Sequence, residues 1–280
     1  MKKVFISALI CVSLAVMILG DLHYKNKIKA QGQAARESFL RSQKLENEQK
    51  EKVIQLLKAS KSKSVVDWLK YESTQKETLT LSVLGSSVTA GDGSSTKDRS
   101  HSWAKMLSNY LSSIDGINRV SLVNNGYSGY STSRLLKDNK LDEVIKSKPD
   151  IVIFELCLIN NHSQSVSLDQ TYQDIDTIIS KLKESLPDSL IVLQTANSIE
   201  NDKPNYGLRL TYDDYNESVK SYVQSKGWNF ISTYEEFKGV VTEKNLNYKD
   251  ILSDGIHPND QGYEIWFNNL KNDVSKTSAN

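Results

Sequence analysis

From residue 77 onward, short apolar runs alternate with stretches in which apolar residues recur at helical spacing. Most of the apolar runs lack alternating polar residues, which is typical of strands covered on both faces. The helical stretches carry charged residues between their apolar positions, which is typical of helices packed on one side. The predicted strands are residues 79–84, 120–123, 151–158, 190–193 and 228–231, and the predicted helices are residues 103–114, 168–186, 210–223 and 262–270. This alternation predicts an α/β fold with a parallel, doubly wound sheet of about five strands.

The first twenty residues have a different character. Residues 4–20 form an uncharged, mostly apolar run that follows Lys2 and Lys3 and ends before Asp21. In a helix this run rises about 25 Å, slightly less than the hydrocarbon core of about 30 Å. No small-x-small cleavage site directly follows the run, so residues 1–20 are predicted to be an uncleaved signal anchor. The lysines then stay inside, which predicts a single-pass protein of the cell membrane with an extracellular domain. Secretion after signal cleavage is the alternative.

Residues 21–76 are polar and basic, contain no proline and only one glycine, and space their apolar residues mostly as a helix does. This pattern predicts a helical stalk, either a plain spacer or a segment attracted to an anionic membrane surface. Residues 1–76 hold 15 Lys and Arg against 7 Asp and Glu, whereas residues 77–280 hold 20 against 27. A basic leader therefore precedes an acidic domain, predicted to span residues 77–280. The formal net charge of +1 does not favour nucleic-acid binding.

The two cysteines give no disulfide or metal pattern. Cys11 and Cys157 lie 146 positions apart, and both are flanked by apolar residues. This setting favours buried free thiols over a disulfide, and neither cysteine has zinc-ligand spacing. The sequence therefore predicts neither a metal site nor a cofactor.

Polar loops follow the first three predicted strands. In residues 85–91, glycines bracket Ser87 where strand passes to helix. Glycine permits a tight turn there, and the free N–H groups of a helix N-terminus can face an anion. Ser87 is therefore a candidate nucleophile whose own N–H can also bind an oxyanion. In the next two loops, the Gly129 N–H and the Asn160 side-chain amide are candidate donors to the same oxygen.

A fourth polar segment lies near the C-terminus, where Asp254 and His257 are three positions apart in a turn with Gly255 and Pro258. Serine is a weak nucleophile until a base takes its proton, and the base works best when a carboxylate fixes its tautomer. Ligands of doubly wound sheets bind beyond the carboxyl ends of the strands, so these loops are expected to meet there. The sequence thus predicts a triad of Ser87, His257 and Asp254.

Four segments, in their order along the chain, resemble the motif blocks of the SGNH, or GDSL-type, hydrolase superfamily. The segments are residues 85–91, 124–132, 155–161 and 254–257, of which the last, with Pro258, Gln261, Gly262 and Tyr263 after it, is the most specific. The resemblance covers roughly residues 77–275 and implies a flavodoxin-like three-layer fold with ester-hydrolysing activity. It also implies that Ser87 is the nucleophile, that Gly129 and Asn160 complete an oxyanion hole, and that His257 is the base with Asp254 as its partner.

The sequence departs from the family pattern in three places. Ser86 stands where the family usually has the aspartate of its Gly-Asp-Ser turn, and Asn161 stands where an aspartate usually follows the oxyanion asparagine. Cys157 and Leu158 replace the usual glycine-containing approach, so Asn161 competes with Asn160 for the oxyanion role. These losses are expected to lower or redirect activity, and they leave open a domain that kept the fold without turnover.

Several other residues are assigned from their position alone. Tyr127, Tyr130, His162 and Tyr206 are candidate substrate contacts, because tyrosines can stack on a sugar face and His162 follows the oxyanion asparagine closely. Glu155 lies within an apolar strand, where a buried carboxylate needs partners. It is therefore expected to form an ion pair or to accept hydrogen bonds from nearby loops rather than to act in catalysis.

These features together predict an extracytoplasmic serine esterase that removes acyl groups, O-acetyl groups above all, from an envelope carbohydrate or a related ester. The alternatives are a catalytically silent glycan-binding module and an O-acyltransferase that uses the same triad. The expected partners are the acylated glycan or other ester and, through residues 4–20, the membrane. The oligomeric state stays open.

Overall fold

The computed structural model describes residues 2–59 and 64–276, and within them five strands form one parallel sheet. The strands are β1 (Thr78–Gly85), β2 (Arg119–Gly126), β3 (Ile151–Glu155), β4 (Leu190–Gln194) and β5 (Phe230–Ile231). Their order across the sheet is β2-β1-β3-β4-β5, and all neighbours run parallel. Every residue of β3 and of β4 is buried, which explains why these strands show no polar alternation.

Helices connect the strands and cover the sheet. In chain order, the helices of the described residues are α1 (Lys2–Ala59), α2 (Val65–Ser73), α3 (Ser87–Ala90), α4 (Trp103–Ser112), α5 (Thr132–Lys137), α6 (Leu141–Lys146), α7 (Leu158–Ser163), α8 (Leu168–Ser185), α9 (Tyr212–Ser225), α10 (Thr233–Glu243), α11 (Tyr248–Ile251) and α12 (Asp260–Asp273). Helix α12 contacts α4 and α10, whereas α8 contacts α5, α6 and α9. Two helical layers thus enclose the sheet, and the flavodoxin-like α/β fold predicted from the sequence is confirmed.

Helix α8 shows how the sequence sets the ends and the buried face of a helix. Ser167 caps its N-terminus by accepting a hydrogen bond from the Gln170 N–H at 3.1 Å. Ile175 and Leu182, seven positions apart, are both fully buried against the core. Pro187 follows the helix and cannot continue it. The observed helix therefore matches the predicted residues 168–186 closely.

The strand order reverses between β1 and β3. The chain first moves outward from β1 to β2, and then returns to the other side of β1 as β3. In open α/β sheets, ligands bind at this switch point, beyond the carboxyl ends of the strands. A Cβ at Gly126, the last residue of β2, would lie 2.1 Å from the Ala90 backbone nitrogen, so only glycine lets β2 approach α3 this closely.

The third strand ends earlier than the sequence pattern predicts. Residues 151–158 are predicted as strand, but β3 ends at Glu155 and α7 begins at Leu158. Between them, Cys157 has a φ of 55°, a left-handed conformation that ends the strand and turns the chain. Cys157 is also a buried free thiol. The residues after Glu155 remain buried, so hydrophobicity alone does not mark the strand end.

Residues 65–73, which the sequence pattern assigns to the stalk, instead form α2 and belong to the unit Ala59–Asn280. Ser64 caps this helix, and Val65 and Leu69 are buried in the hydrophobic core. The Val66 N–H donates a hydrogen bond to the Val274 carbonyl at 3.1 Å, just after α12. The assignment to the stalk is therefore wrong for these residues, because a helix of only nine residues has too few apolar positions to stand out among its polar neighbours.

The N-terminal helix α1 lies in a separate unit, Met1–Lys58. The helix predicted for the stalk is thus present over residues 21–59, and the side chains described there are exposed. Residues 4–20, the apolar run of the signal anchor predicted over residues 1–20, also lie in α1, but most of their side chains, including that of Cys11, are outside the described residues. Within the described part of the chain, no helix combines the length and the apolar character needed to cross a membrane.

Candidate active site

The side chains of Ser87, His257 and Asp254 form a continuous hydrogen-bonded chain. His257 Nε2 lies 2.9 Å from Ser87 Oγ, and His257 Nδ1 lies 2.6 Å from Asp254 Oδ2. The fold therefore closes a separation of 170 positions between the hydroxyl and the imidazole. A serine bonded to an imidazole that is itself bonded to a carboxylate has the geometry for general-base activation of the hydroxyl.

The turn that carries His257 also fixes Asp254. Asp254 Oδ1 accepts hydrogen bonds from the N–H groups of Ile256 at 3.0 Å and His257 at 2.8 Å. Partial burial by itself raises the pKa of Asp254, but the hydrogen bonds from the His257 backbone and ring and from Ile256 outweigh it. The pKa of Asp254 therefore lies below its ordinary value, and the carboxylate stays ionised beside the imidazole.

Ser87 is the first residue of α3, directly after the turn that ends β1. Ser86 is the N-cap, and Gly91, with a φ of 88°, ends the helix after a single turn. The N–H of the first residue of a helix has no acceptor within that helix. Ser87 therefore offers both its hydroxyl and its backbone N–H at the carboxyl end of β1.

Glu155 is fully buried under the turn that carries Ser87. Its Oε2 accepts hydrogen bonds from the Ser86 N–H at 2.7 Å, the Ser86 hydroxyl at 2.8 Å and the Thr89 hydroxyl at 3.2 Å. Its Oε1 accepts a hydrogen bond from the Cys157 N–H at 2.8 Å. Burial raises the pKa of Glu155 above its ordinary value, although these hydrogen bonds oppose the shift. The expected bonding of Glu155 to nearby loops is thus observed, and it joins the Ser87 turn to the turn that leads to Asn160.

The two competing oxyanion amides have different partners. Asn161 accepts a hydrogen bond from the Thr132 N–H at 2.9 Å and donates to the hydroxyls of Thr132 at 2.9 Å and Thr171 at 3.0 Å. Asn160 Nδ2 is buried and has no hydrogen-bond partner in the described part of the chain. A buried donor without an acceptor is costly unless a ligand supplies one. Asn160, unlike Asn161, therefore has an amide N–H that no residue in the described part of the chain occupies, as the oxyanion role requires.

Gly129 follows β2 and has a φ of 77°, a left-handed conformation that favours glycine. Among the described residues, no heavy atom lies within 4 Å of the position a Cβ would take, so this side of the loop is open. The loop is held from two sides: Gln164 Nε2 donates to the Gly129 carbonyl at 2.9 Å, and the Ser128 hydroxyl donates to Asp92. The Gly129 N–H thus lies in a loop fixed between the Ser87 region and α7.

Asp92 and Gln164 are site residues that the sequence analysis missed. Gln164 lies four positions after Asn160, a spacing that places both on one face of a helix and could have marked it. Besides the hydrogen bond from Ser128, Asp92 accepts one from the Arg99 guanidinium at 2.8 Å. The position of Asp92 between two loop glycines does not indicate a site residue, because aspartates in such positions commonly stabilise turns.

The loops that lack the usual family aspartates have other support. Ser86 donates both its N–H and its hydroxyl to Glu155, so a carboxylate from β3 holds the turn from below. Asn161 holds the Thr132 backbone through its side-chain oxygen. Both turns are therefore fixed by hydrogen bonds although Ser86 and Asn161 replace the aspartates.

The four predicted substrate contacts lie in different settings. His162 Nε2 lies 3.1 Å from the carbonyls of both Lys203 and Leu210, so this ring holds the loop of residues 201–211. Tyr206, in the same loop, is 93% exposed. A substrate contact of either residue stays a prediction, and His162 already has hydrogen-bond partners within the chain.

Tyr127 and Tyr130 flank the Gly129 loop and are half-buried. Their rings lie 5.4 Å apart, and the Arg134 guanidinium lies 4.2 Å from the centre of the Tyr130 ring. The Tyr127 hydroxyl donates a hydrogen bond to Glu143 at 3.0 Å, and burial together with this carboxylate raises the pKa of Tyr127. Both tyrosines thus remain beside a predicted oxyanion donor.

Comparison with known protein families gives a match for this chain. Residues 83–265, more than half of the chain, match the model of the GDSL-like lipase/acylhydrolase family. A sequence search of curated proteins gives no match.

Solved structures share the fold at low sequence identity. A two-domain esterase active on acetylated mannans has a TM-score of 0.62 and 18% identity over 78% of this chain and 54% of its own, so this chain spans about half of its length. A candidate GDSL-like lipase from Parabacteroides merdae has a TM-score of 0.59 and 16% identity over 71% of this chain and 96% of its own. A variant of an acetyl-xylooligosaccharide esterase from Geobacillus stearothermophilus has a TM-score of 0.55 and 20% identity over 70% of this chain and 94% of its own.

Replacing each asparagine separates the two candidate donors. We expect Asn160→Ala to lower kcat for p-nitrophenyl acetate by about 10²- to 10³-fold with little change in the free energy of unfolding, since only a donor to the oxyanion is lost. We expect Asn161→Ala to lower the free energy of unfolding by about 1–3 kcal/mol, since it leaves Thr132 and Thr171 without their partner. Steady-state kinetics and urea unfolding measure both. A variant of Asn161 that keeps its stability and loses kcat would reverse the assignment.

The raised pKa of Glu155 predicts a pH dependence of stability. A carboxyl group whose pKa is higher in the folded chain stabilises the fold fully below its ordinary value of 4.5, and this contribution is lost as the pH rises through the raised pKa. Relative to Glu155→Gln, whose side chain does not titrate, the native protein should therefore lose free energy of unfolding from pH 4.5 upward. Urea unfolding followed by tryptophan fluorescence at several pH values measures the difference. If the native protein instead gains free energy of unfolding relative to Glu155→Gln as the pH rises, the hydrogen bonds to Glu155 outweigh the effect of its burial.

Proposed function

The chain belongs to the GDSL-like lipase/acylhydrolase family and is an ester-hydrolysing enzyme, and from this premise we propose that it is a serine esterase that removes acyl groups, O-acetyl groups above all, from a carbohydrate. The observation that carries the proposal is the chain of hydrogen bonds from Ser87 through His257 to Asp254, at 2.9 and 2.6 Å. The arrangement needs no further group to activate the serine, because imidazole and carboxylate are both within hydrogen-bonding distance.

In the first half of the reaction, Ser87 Oγ attacks the ester carbonyl while His257 Nε2 takes its proton. The negative charge that develops on the carbonyl oxygen is stabilised by the N–H groups of Ser87 and Gly129 and by Asn160 Nδ2. Asp254 keeps the proton of the imidazole on Nδ1 and stabilises the imidazolium. When the bond between the acyl carbon and the sugar oxygen breaks, His257 gives its proton to that oxygen, the sugar leaves as an alcohol, and the acyl group stays on Ser87.

In the second half, water takes the place of the sugar hydroxyl. His257 removes a proton from this water, which attacks the acyl carbonyl, and the same three donors stabilise the second tetrahedral oxyanion. When the intermediate collapses, His257 returns the proton to Ser87 Oγ. The carboxylic acid leaves, and the free serine is restored.

Two observations support an acylated carbohydrate as the substrate. Proteins that share the fold include an esterase active on acetylated mannans and an acetyl-xylooligosaccharide esterase. In this chain, Tyr127 and Tyr130 lie on either side of the Gly129 loop, where aromatic rings can pack on the apolar face of a sugar. Small O-acetyl groups on a polysaccharide are the substrate class we propose.

Hydrolysis by the full-length protein tests the catalytic part of the proposal. We expect the native chain to hydrolyse p-nitrophenyl acetate and to release acetate from O-acetylated xylan or mannan. Ser87→Ala should lose at least about 10³-fold in kcat because the nucleophile is gone. Ser113→Ala, which removes an exposed hydroxyl at the end of α4, is the matched control and should keep the native rate. Equal rates for native protein and Ser87→Ala would end the serine mechanism.

An extracytoplasmic location is a separate proposal that the sequence alone supports. Lys2 and Lys3 before the uncharged residues 4–20 are typical of an export signal or of an N-terminal anchor. Protein isolated from its native cells should then be recovered outside the cytoplasm. An intact N-terminus and a need for detergent favour the anchor, whereas a mature chain beginning after residue 20 favours secretion. Recovery of the intact chain in the cytoplasm contradicts both.

A further inference from the structure

A polar groove of about 620 Å³ runs between α4 and the edge strand β2, apart from the triad. We call it the side groove; its lining includes Arg99, Lys105, Ser108, Asn109, Ser112 and Arg119. Ala90 and Gly126 also line it. Because Ala90 ends the helix that Ser87 begins, and Gly126 ends β2 just before the Gly129 loop, the side groove leads toward the edge of the sheet that carries the triad.

The side groove carries positive charge on an otherwise acidic domain. Arg99 pairs with Asp92 at 2.8 Å, but Lys105 and Arg119 are exposed and form no ion pair with any residue in the described part of the chain. Asp98 is the only acidic residue among those that line the groove within residues 64–276. Residues 77–280 hold 27 acidic against 20 basic residues, so two unpaired cations in one groove favour a negatively charged ligand.

The two cations come from different elements that line the side groove. Lys105 lies on α4, whereas Arg119 is the first residue of β2. Val120, next to Arg119, is hydrogen-bonded to Ser108 and Ser112 of α4, which follow Lys105 by three and seven positions. Positive charges on both walls of one groove can bind two charged groups of a single ligand, which a polymer with repeated charges supplies.

Near both of its ends, the edge of β2 already has hydrogen bonds that an added peptide strand would need. The Val120 carbonyl accepts a hydrogen bond from the Ser108 hydroxyl at 3.0 Å, and the Val120 N–H is bonded to Ser112. At the other end of the strand, the Gly126 N–H donates to Asn124 Oδ1 at 2.9 Å. A peptide strand would have to displace these bonds to pair with the edge. A ligand recognised by side chains in the groove does not.

From these features we propose that the side groove binds an anionic glycan and leads its acyl ester to Ser87. This inference rests on the proposed esterase function and names the substrate class more narrowly. Carboxylate or phosphate groups along the polysaccharide bind Lys105 and Arg119, while hydroxyl groups of the sugars bond exposed polar side chains such as Asn109. The groove therefore contributes to binding of the polymer and not to the chemical step.

The test compares charged and neutral substrates with the full-length protein. The substrates are O-acetylated alginate, which carries carboxylates, an O-acetylated glycerol-phosphate polymer, O-acetylated xylan, which is neutral, and p-nitrophenyl acetate. In the double variant Lys105→Ala/Arg119→Ala we expect KM for a charged polymer to rise about 5- to 10-fold, as two exposed charge interactions allow. KM for xylan and the rate with p-nitrophenyl acetate should stay as in the native protein. The two charged polymers show whether carboxylate or phosphate is preferred.

Two controls make the result specific. Lys244→Ala/Lys249→Ala removes the same charge near α10 and α11 and should leave every KM unchanged. Lys105→Arg/Arg119→Lys keeps the charge and should keep the native KM. Added salt should raise the native KM for the charged polymer and affect the double alanine variant less.

The outcomes separate the groove from the esterase. An unchanged KM for charged polymers in the double alanine variant, or an equal rise for xylan, overturns the groove proposal. Native protein that hydrolyses p-nitrophenyl acetate but neither charged polymer also overturns it and leaves the esterase intact. Native protein without any activity refutes the proposed function itself.

Discussion

The candidate site depends on one buried carboxylate at the end of the central strand β3. Glu155 accepts hydrogen bonds from the Ser86 N–H and the Cys157 N–H, which belong to turns after two neighbouring strands. These N–H groups lie where the backbone leaves regular structure, so no sheet or helix partner is available to them. One side chain satisfies both and sets the turn that presents Ser87 relative to the turn that leads to Asn160. Burial of the carboxyl group makes its ionisation costly, and the surrounding donors offset part of that cost.

The same carboxylate explains how the fold supports a serine turn without the usual family aspartate. At position 86 a hydroxyl donates to Glu155, which holds the turn from β3 below it. At position 161 an amide oxygen accepts a hydrogen bond from the Thr132 N–H. Each loop is thus fixed by a hydrogen bond of the residue that stands in place of the aspartate. The free donor of Asn160 and the open side of Gly129 remain directed at no residue in the described part of the chain.

The sheet order gives these loops their common place. Strands β2, β1 and β3 are neighbours, so the loops that hold Gly129, Ser87 and Asn160 leave adjacent carboxyl ends. Cross-links between loops refine this arrangement: Ser128 bonds Asp92, and Gln164 bonds the Gly129 carbonyl. The side groove begins on the outer side of the same region, beside the edge strand. A triad at the switch point and a charged groove along the sheet edge are therefore consequences of one topology.

Apolar runs and helical spacing by themselves determined the parallel sheet and the helices α4, α8, α9 and α12, because hydrophobic period is a local property of the chain. The triad was predicted from the polar motifs that follow the strands. Local pattern failed where burial depends on partners distant in sequence. Residues 65–73 were predicted as part of the stalk, but they pack in the core. The apolar residues after Glu155 were predicted as strand, but the chain turns at Cys157, which has a left-handed conformation. Only the tertiary structure shows that, among the described residues, the Asn160 amide nitrogen has no partner, that the Asn161 amide is bonded, and that His162 bonds a loop. The physical reason is that a polar group is free or bonded according to what folding brings beside it.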